Sequence, residues 1–243
     1  MKIKVKDLDI NCIQYTKANT YQNDIVLLHG WGQNIAMMQP LGDYLCKKNR
    51  VTIIDLPGFG ESSEPTKSYT LEDYVEVLEI IFKKLNIKKP IMIGHSFGGR
   101  LAIKYSYNHA IKKLVLFGSP CIRKETKPSL KVRIYKKLNS YNFLKKLGEL
   151  AKNYIGSRDY KAATPIMRAT LVNVVNEDLS KYAMQIEEET LLIWGDNDQE
   201  APLEDAKELV DIMPDAALIT LPGTHYAYLE NLTSVLRILN KFI

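Results

Sequence analysis

The chain has one serine in a setting that suits a nucleophile. Residues 91–100 read IMIGHSFGGR, an apolar run that ends at Ser96 among small residues. The pentapeptide from Gly94 to Gly98 has the form G-x-S-x-G, which at a strand-to-helix junction holds a serine hydroxyl above the edge of a sheet. A side chain at either glycine would collide with neighbouring backbone. Ser96 is therefore a candidate nucleophile, and the alternative is an ordinary polar turn residue.

A serine nucleophile needs a base, and the chain has four histidines from which to supply it. His225 follows the last predicted strand, so we expect it at the same sheet edge as the serine. His95 is adjacent in sequence, but on a sharp turn it should point away from the serine. His29 ends a predicted strand and His109 ends a predicted helix. His225 is the candidate base.

A histidine base is oriented by a carboxylate, which we expect at the end of an intervening strand. The stretch WGDND offers two candidates there, Asp196 and Asp198. Either residue suits the chain order Ser…Asp…His that is expected when the serine lies on a strand-to-helix turn of this kind. The one that does not orient the base would cap the turn through local backbone hydrogen bonds.

The pattern of apolar residues predicts the elements that must position these side chains. Residues 2–10 and 11–16 alternate in polarity, which predicts two half-solvated antiparallel strands. Six continuous apolar runs are typical of covered parallel strands: residues 24–30, 50–58, 90–96, 112–120, 190–198 and 216–223. Helical patterns cover residues 70–85, 97–108, 203–213 and 226–242. Thr70 followed by Asp73 predicts an N-cap.

Strands that alternate with helices predict an α/β fold with a mostly parallel, eight-stranded sheet flanked by helices. About seventy residues separate the fourth apolar run from the fifth, more than one crossover helix needs. We expect an inserted helical cap at residues 121–186, and a core formed by residues 1–120 and 187–243. The helical stripe predicted in the cap consists of Leu130, Ile134, Leu138, Leu144 and Leu147.

Four motifs, in order, resemble the α/β-hydrolase superfamily, in the branch with a helical cap after the sixth core strand. They are HGWG (29–32), DLPGFGES (55–62), GHSFGG (94–99), and WGDND with the later GTH. The resemblance implies that Asp198, three residues after Gly195, is the acid of the triad. It also implies an oxyanion hole formed by the backbone amides of Trp31 and Phe97, and no metal or organic cofactor.

The resemblance covers the chain except the cap, and the function it implies is that of a serine hydrolase acting on a carboxylic ester or thioester. The HGWG and DLPGFG stretches look most like those of carrier-protein methyl ester esterases. A triad-containing small-molecule receptor, an acyltransferase and a C–C bond hydrolase of the same fold stay open as alternatives. Serine at the nucleophile position argues against the dehalogenase and epoxide-hydrolase branches.

Basic residues are concentrated in one part of the chain. Residues 122–168 hold thirteen basic and three acidic residues, a net charge of +10, so with +5 overall the remainder carries −5. This charge is either ordinary solvation of a helix face or a landing surface for an anionic partner. Such a partner would be an acyl carrier protein, an acyl-CoA or an anionic lipid surface. We expect no nucleic-acid binding, because aromatic platforms and known modules are absent from the sequence.

The sequence also predicts a cytoplasmic protein. No apolar run is long enough for a membrane-spanning helix, and the alternating start lacks the apolar region of a secretory signal. The three cysteines, Cys12, Cys46 and Cys121, are odd in number and widely spaced. This spacing predicts free thiols in a reducing compartment and neither a disulfide framework nor a zinc site.

Overall fold

The computed structural model describes residues 1–123 and 158–243, and the described strands form one sheet in the order β1-β2-β4-β3-β5-β6-β7-β8. The strands are β1 (Lys2–Val5), β2 (Leu8–Tyr15), β3 (Asp24–Leu28), β4 (Arg50–Ile54), β5 (Ile91–His95), β6 (Lys113–Phe117), β7 (Thr190–Gly195) and β8 (Ala216–Leu221). β1 and β2 pair antiparallel with their neighbours, and β3 to β8 run parallel. The predicted α/β fold with an eight-stranded, mostly parallel sheet is confirmed.

Helices cover both faces of the sheet. They are α1 (Ile35–Leu45), α2 (Leu71–Lys84), α3 (Phe97–Asn108), α4 (Arg158–Ala162), α5 (Pro165–Asn176), α6 (Ser180–Ala183), α7 (Leu203–Ile212), α8 (Ala227–Glu230) and α9 (Leu232–Phe242). Alternate residues of β3 enter two separate apolar clusters. One cluster holds α2, α3 and α7, and the other holds α1, α8 and α9, so the central strands of the sheet are buried on both faces. Within the described ranges, no helix is long and apolar enough to cross a membrane.

The amphipathic stripe of residues 70–85 forms α2 as predicted. Thr70 is its N-cap and accepts a hydrogen bond from the Asp73 amide at 3.3 Å. The Asp73 carboxylate accepts one from the Thr70 amide at 2.8 Å, which completes a capping box. Hydrogen bonds from Thr70 lower the pKa of Asp73 against the opposing effect of burial. The sequence cap signal therefore acts as the start of the helix.

Two turns and one helix are missing from the sequence prediction. The first two strands meet at a turn where Lys6 has a φ of 55°, so β2 begins at Leu8 and not at residue 11. The last predicted helix is two helices that meet at Asn231, whose side chain donates to the Pro222 and Ala227 carbonyls. Helix α1 was not predicted, and it contains Pro40. Alternation and periodicity detect an element but not the turn inside it.

The interval between β6 and β7 contains α4, α5 and α6 in its described part. Arg100 of α3 donates to the backbone carbonyls of Pro120, Val174 and Glu177. Lys104, one turn later, bonds Glu72, Glu177 and the Tyr182 hydroxyl. These bonds attach the end of the interval to the core. The predicted leucine and isoleucine stripe lies outside the described residues, and the division into core and cap at 121–186 stays a prediction.

Candidate active site

Ser96 joins the end of β5 to the start of α3 in a strained backbone conformation. Its φ of 50° and ψ of −113° are unusual for a residue with a side chain. The turn is tight because a Cβ at Gly94 would meet the Gly98 carbonyl and a Cβ at Gly98 would meet the Leu28 carbonyl. The Ser96 amide donates to the Phe117 carbonyl on β6 at 2.9 Å. The two glycines make room for the tight turn, and the hydrogen bond to Phe117 fixes the serine at the carboxyl edge of the sheet.

Asp198 and His225 are in direct contact at the same edge. The ring Nδ1 of His225 donates to Asp198 Oδ2 at 2.8 Å, and both side chains are buried. The other carboxylate oxygen of Asp198 accepts the amides of Glu200 at 2.9 Å and Ala201 at 2.8 Å. One oxygen therefore holds the loop and the other holds the imidazole. This leaves Nε2 of His225 as the ring nitrogen for proton transfer.

Asp196 lies in a different position. Its side chain is exposed and accepts the Gly223 amide at 3.0 Å, which ties the loop after β7 to the loop after β8. This is the turn-capping arrangement that the sequence left as the alternative for one of the two aspartates. The contact with His225 is made by Asp198.

The two other histidines near the sheet edge are buried and structural in their contacts. His29 donates from Nδ1 to the Gly30 carbonyl at 2.7 Å and accepts the Leu56 amide at Nε2 at 3.0 Å. His95 donates from Nε2 to the His225 carbonyl at 2.9 Å, and its ring packs against the His225 ring. Burial lowers the pKa of His29 to about 4 and that of His95 to about 3. Both rings are therefore neutral near pH 7.

Ser96 and His225 line one cavity of about 520 Å³. The other described residues that line it are Trp31, Gly32, Gln33, Asp159, Glu200 and Tyr226. No hydrogen bond joins the Ser96 hydroxyl to His225; Nε2 of His225 lies 3.6 Å from Glu200 Oε2. Ligand-free active sites often show such loose geometry, which tightens when substrate binds.

Trp31, which carries one of the two amides proposed for an oxyanion hole, lines this cavity, and Phe97, which carries the other, directly follows Ser96. Within the described part of the chain, neither the Trp31 amide nor the Phe97 amide has a hydrogen-bond partner. Phe97 is the first residue of α3, where unpaired amides and the helix dipole favour negative charge. The rings of the two residues pack edge to face with centroids 5.4 Å apart. Both amides are thus held in place and available as donors.

Sequence reasoning did not assign Asp159 of α4 to the cavity, nor three lining residues that lie close to the motifs. Gln33 follows the HGWG motif, and its side chain accepts the Gly30 amide at 3.1 Å. Tyr226 follows the candidate base directly, and Glu200 comes two residues after the candidate acid. Proximity to a motif was the available signal for each. The direction of each side chain is decided by loop folding, which the sequence pattern does not encode.

Other reactive groups in the described residues do not form a second centre. No cluster of three or more histidine, cysteine or acidic side chains suited to a metal ion occurs among them. Cys12, Cys46 and Cys121 are buried free thiols. Burial raises the pKa of Cys121 to about 12, so this thiol stays protonated and unreactive.

Comparison with known proteins assigns the family. The chain belongs to the alpha/beta hydrolase fold family, whose model matches residues 24–153. One solved structure similar to it is an enol-lactonase from Burkholderia xenovorans LB400, with a TM-score of 0.78 and 20% identity over 100% of this chain and 99% of that one. That identity supports the fold alone.

Relatives in the family include hydrolases of two kinds. A pimeloyl-[acyl-carrier protein] methyl ester esterase from Aliivibrio fischeri is 24% identical over 84% of this chain and 87% of the relative. A 2-hydroxy-6-oxo-2,4-heptadienoate hydrolase from Pseudomonas putida is 25% identical over 91% of this chain and 89% of the relative. The first is named for the cleavage of an ester, and the second is named as the hydrolase of an oxo-dienoate.

Proposed function

We propose that this protein is a serine hydrolase that cleaves a carboxylic ester or thioester. The observation that carries the proposal is the contact of Asp198 with Nδ1 of His225, in a cavity that His225 shares with Ser96 on its strained turn. A histidine oriented in this way beside a serine that opens on the same cavity is the arrangement that activates a hydroxyl for attack on a carbonyl carbon.

The reaction proceeds in two halves. Ser96 Oγ attacks the carbonyl carbon while His225 Nε2 takes the hydroxyl proton, and Asp198 stabilises the imidazolium. The tetrahedral intermediate collapses, the bond to the alcohol or thiol breaks, and His225 gives its proton to that leaving group. Water then attacks the acyl-enzyme, His225 takes a proton from the water, and Ser96 recovers its proton as the acid product leaves.

The negative oxygen of each tetrahedral intermediate needs donors that are already in place. We assign this role to the backbone amides of Trp31 and Phe97. Loss of one such donor typically lowers kcat by about 100- to 1000-fold. The packing of the Trp31 ring against Phe97 supports the assignment, because it limits the reorganisation that the donors undergo during the reaction.

We further propose that residues 121–186 form a cap that shapes the substrate site. Asp159 of α4 lines the Ser96 cavity, and Met167 of α5 lines a neighbouring one. Both belong to the interval inserted between β6 and β7. Catalytic groups therefore come from the core, while part of the substrate enclosure comes from the proposed cap.

The test is a series of p-nitrophenyl esters hydrolysed by the wild type, Ser96→Ala and Ser106→Ala. We expect Ser96→Ala to lower kcat by roughly 10⁴-fold or more, because the nucleophile is lost. Ser106 is the matched control: it lies on the same α3 helix, and its hydroxyl bonds only the Ala102 carbonyl at 2.7 Å. Ser96→Ala with the activity of the wild type would overturn the proposal.

A C–C bond hydrolase is the second candidate, favoured by the Pseudomonas putida relative, which matches along nearly the whole chain. Both reactions use an activated nucleophile and a histidine, so the site geometry suits either. We would compare kcat/KM on 2-hydroxy-6-oxo-2,4-heptadienoate with kcat/KM on the best ester. A higher value on the dienoate would reverse the order of the two candidates. An acyltransferase would instead prefer an added alcohol or amine to water, and a receptor would bind without turnover.

For the substrate carrier, we propose an acidic acyl carrier protein, with acyl-CoA as the alternative. The Aliivibrio fischeri relative carries that partner in its name, and residues 122–168 have a net charge of +10. Attraction between exposed charges is screened beyond about 8–10 Å at physiological salt. We expect kcat/KM on an acyl thioester of the carrier, with the carrier thiol as the leaving group, to fall with added salt while kcat/KM on the free ester stays constant. Equal salt dependence would contradict the carrier.

A further inference from the structure

A second, smaller cavity adjoins the Ser96 chamber. Its volume is about 210 Å³, and Trp31 and Gly32 line both cavities, so the two share a wall at the HGWG loop. The remaining lining is mostly apolar and includes Phe59, Ala163 and Met167. Asp159 lines both cavities as well, so an apolar group attached to a carbonyl at Ser96 would have to pass between Trp31 and Asp159 to reach the side cavity.

The walls of the side cavity are held firmly. The Trp31 ring packs edge to face on Phe59 with centroids 4.8 Å apart. Thr164 caps α5 by accepting the Met167 amide at 3.2 Å, and its hydroxyl donates to Glu64 at 2.7 Å. Met167 is buried, and a Cβ placed on Gly58 would lie 2.5 Å from its sulfur. The thioether is thus fixed against the loop after β4.

The position of His225 decides which part of an ester enters the side cavity. His225 must protonate the leaving oxygen, so the alcohol part lies near its ring. His225, Tyr226 and Glu200 line the Ser96 chamber and do not line the side cavity. The acyl part is therefore the part directed away from His225 and toward Met167.

We propose that the side cavity is the acyl subsite and that Met167 determines the acyl chain length. This inference rests on the proposed ester hydrolase function. An apolar cavity of about 150 Å³ holds a benzene molecule, so the side cavity suits an acyl group of about six carbons. Glu64 and Asp159 also line it, so an acyl group with a negatively charged end is disfavoured. The substrate class is esters of neutral, medium-length aliphatic or small aromatic acids.

The first experiment measures kcat/KM for p-nitrophenyl esters with acyl chains of two to ten carbons. One methylene in an apolar pocket typically changes specificity by about 10- to 200-fold. Met167→Ala enlarges the cavity and should raise the ten-carbon to six-carbon ratio at least about tenfold. Met167→Phe, with a larger rigid ring, should lower the six-carbon to two-carbon ratio by a similar factor.

Leu171→Ala is the matched control for these variants. Leu171 is buried on the same α5 helix, one turn after Met167, and does not line the side cavity. Its loss should lower stability without changing the chain-length profile. An unchanged chain-length profile in both Met167 variants, or the same change of profile in Leu171→Ala, would overturn the subsite assignment. In either case, hydrolysis of the acetate ester that depends on Ser96 would still support the proposed function.

The second experiment does not depend on turnover. Hexan-1-ol is titrated into Ser96→Ala and into the double variant Ser96→Ala, Met167→Phe, and binding is followed by tryptophan fluorescence. Trp31 lines the cavity, whereas Trp194 is buried and donates to the Ala201 carbonyl at 2.7 Å. We expect Met167→Phe to weaken binding at least about tenfold. Equal affinity in the two proteins would overturn the subsite even if no ester were hydrolysed.

Discussion

The carboxyl edge of the sheet and the segment from α4 to α6 are built in different ways. At the edge, each candidate catalytic residue lies within a few positions of a strand end: Ser96 follows β5, Asp198 follows β7 and His225 follows β8. Their places are set by the parallel pairing of neighbouring strands. The chemistry of the site is therefore assembled by the backbone of the core.

The segment from α4 to α6 is positioned by side chains that reach across the sequence. Arg100 and Lys104 bond groups more than seventy residues away, at Val174 and Glu177. Burial lowers the pKa of Arg100, whereas hydrogen bonds to Glu177, Glu72 and Tyr182 raise the pKa of Lys104 against the effect of burial. The residues at the sheet edge are thus positioned by the backbone of the core, and the segment from α4 to α6 by two long basic side chains.

The largest expected effect distinguishes the two aspartates at the sheet edge. We expect Asp198→Asn to lower kcat by about 10⁴-fold, because the amide no longer orients and stabilises the His225 ring. Asp196→Asn keeps an oxygen for the Gly223 amide and is the matched control, with kcat close to that of the wild type. Steady-state kinetics on one ester measures both. A greater loss in Asp196→Asn would mean that the edge is organised differently.

A smaller effect tests the anchors of the second region. Arg100→Met should lower the free energy of unfolding by about 3–5 kcal/mol, because buried carbonyls at Pro120, Val174 and Glu177 lose their donor. Lys104→Met should cost less, since Glu72 is largely exposed and can be hydrated. Urea unfolding measures both, and proteolysis within α5 reports local release of the segment. A greater loss in Lys104→Met than in Arg100→Met would contradict this ranking of the anchors.

The smallest expected effect, stated per pH unit, is the dependence of the free energy of unfolding on pH that two buried histidines cause. His29 and His95 have pKa values of about 4 and 3 in the folded protein, below the value of about 6.5 expected when unfolded. Protonation therefore favours the unfolded chain. The contribution of each neutral histidine to the free energy of unfolding is complete above pH 6.5. Below that pH it falls by up to about 1.4 kcal/mol per pH unit for each histidine.

Urea unfolding between pH 7 and pH 4.5 measures this slope. His29→Gln offers an oxygen to the Leu56 amide but removes the titrating ring, so the slope should decrease by about 1.4 kcal/mol per pH unit relative to the wild type. Arg100→Met removes no histidine and should keep the slope of the wild type. A slope that is unchanged in His29→Gln would show that this histidine does not contribute.

The difference between the regions also explains how far the sequence could be interpreted. The six parallel strands lie within the apolar runs that predicted them, and for β3 to β7 the reason is that strands covered on both faces need continuous apolar residues. The prediction of a covered strand was wrong for β8, whose residues are half-buried or exposed because it lies at the edge of the sheet. The capping box of α2 was visible because it is local. Helix α1 was missed because Pro40 masks a helix that is stabilised by burial of Met38 and Leu41.

For the candidate site, the sequence indicated residue types, their order and the strand ends that carry them. It could not separate Asp196 from Asp198 without the family resemblance, because both follow β7 at nearly the same distance. The fold separates them: Asp198 turns inward to the His225 ring, and Asp196 stays exposed at the Gly223 amide. It also brings Glu200 and Tyr226 into the cavity, which no spacing predicted.

By itself, the sequence determined the class of fold and the chemical groups at its edge, because buried strands, caps and the G-x-S-x-G turn depend on local patterns. Tertiary structure alone decided that Trp31, Phe59 and Met167 would line one cavity. These residues come from three separate loops and helices, and their contact depends on the anchoring of α5 across the core. Contacts of that kind arise from packing between distant segments, which a periodic pattern does not record.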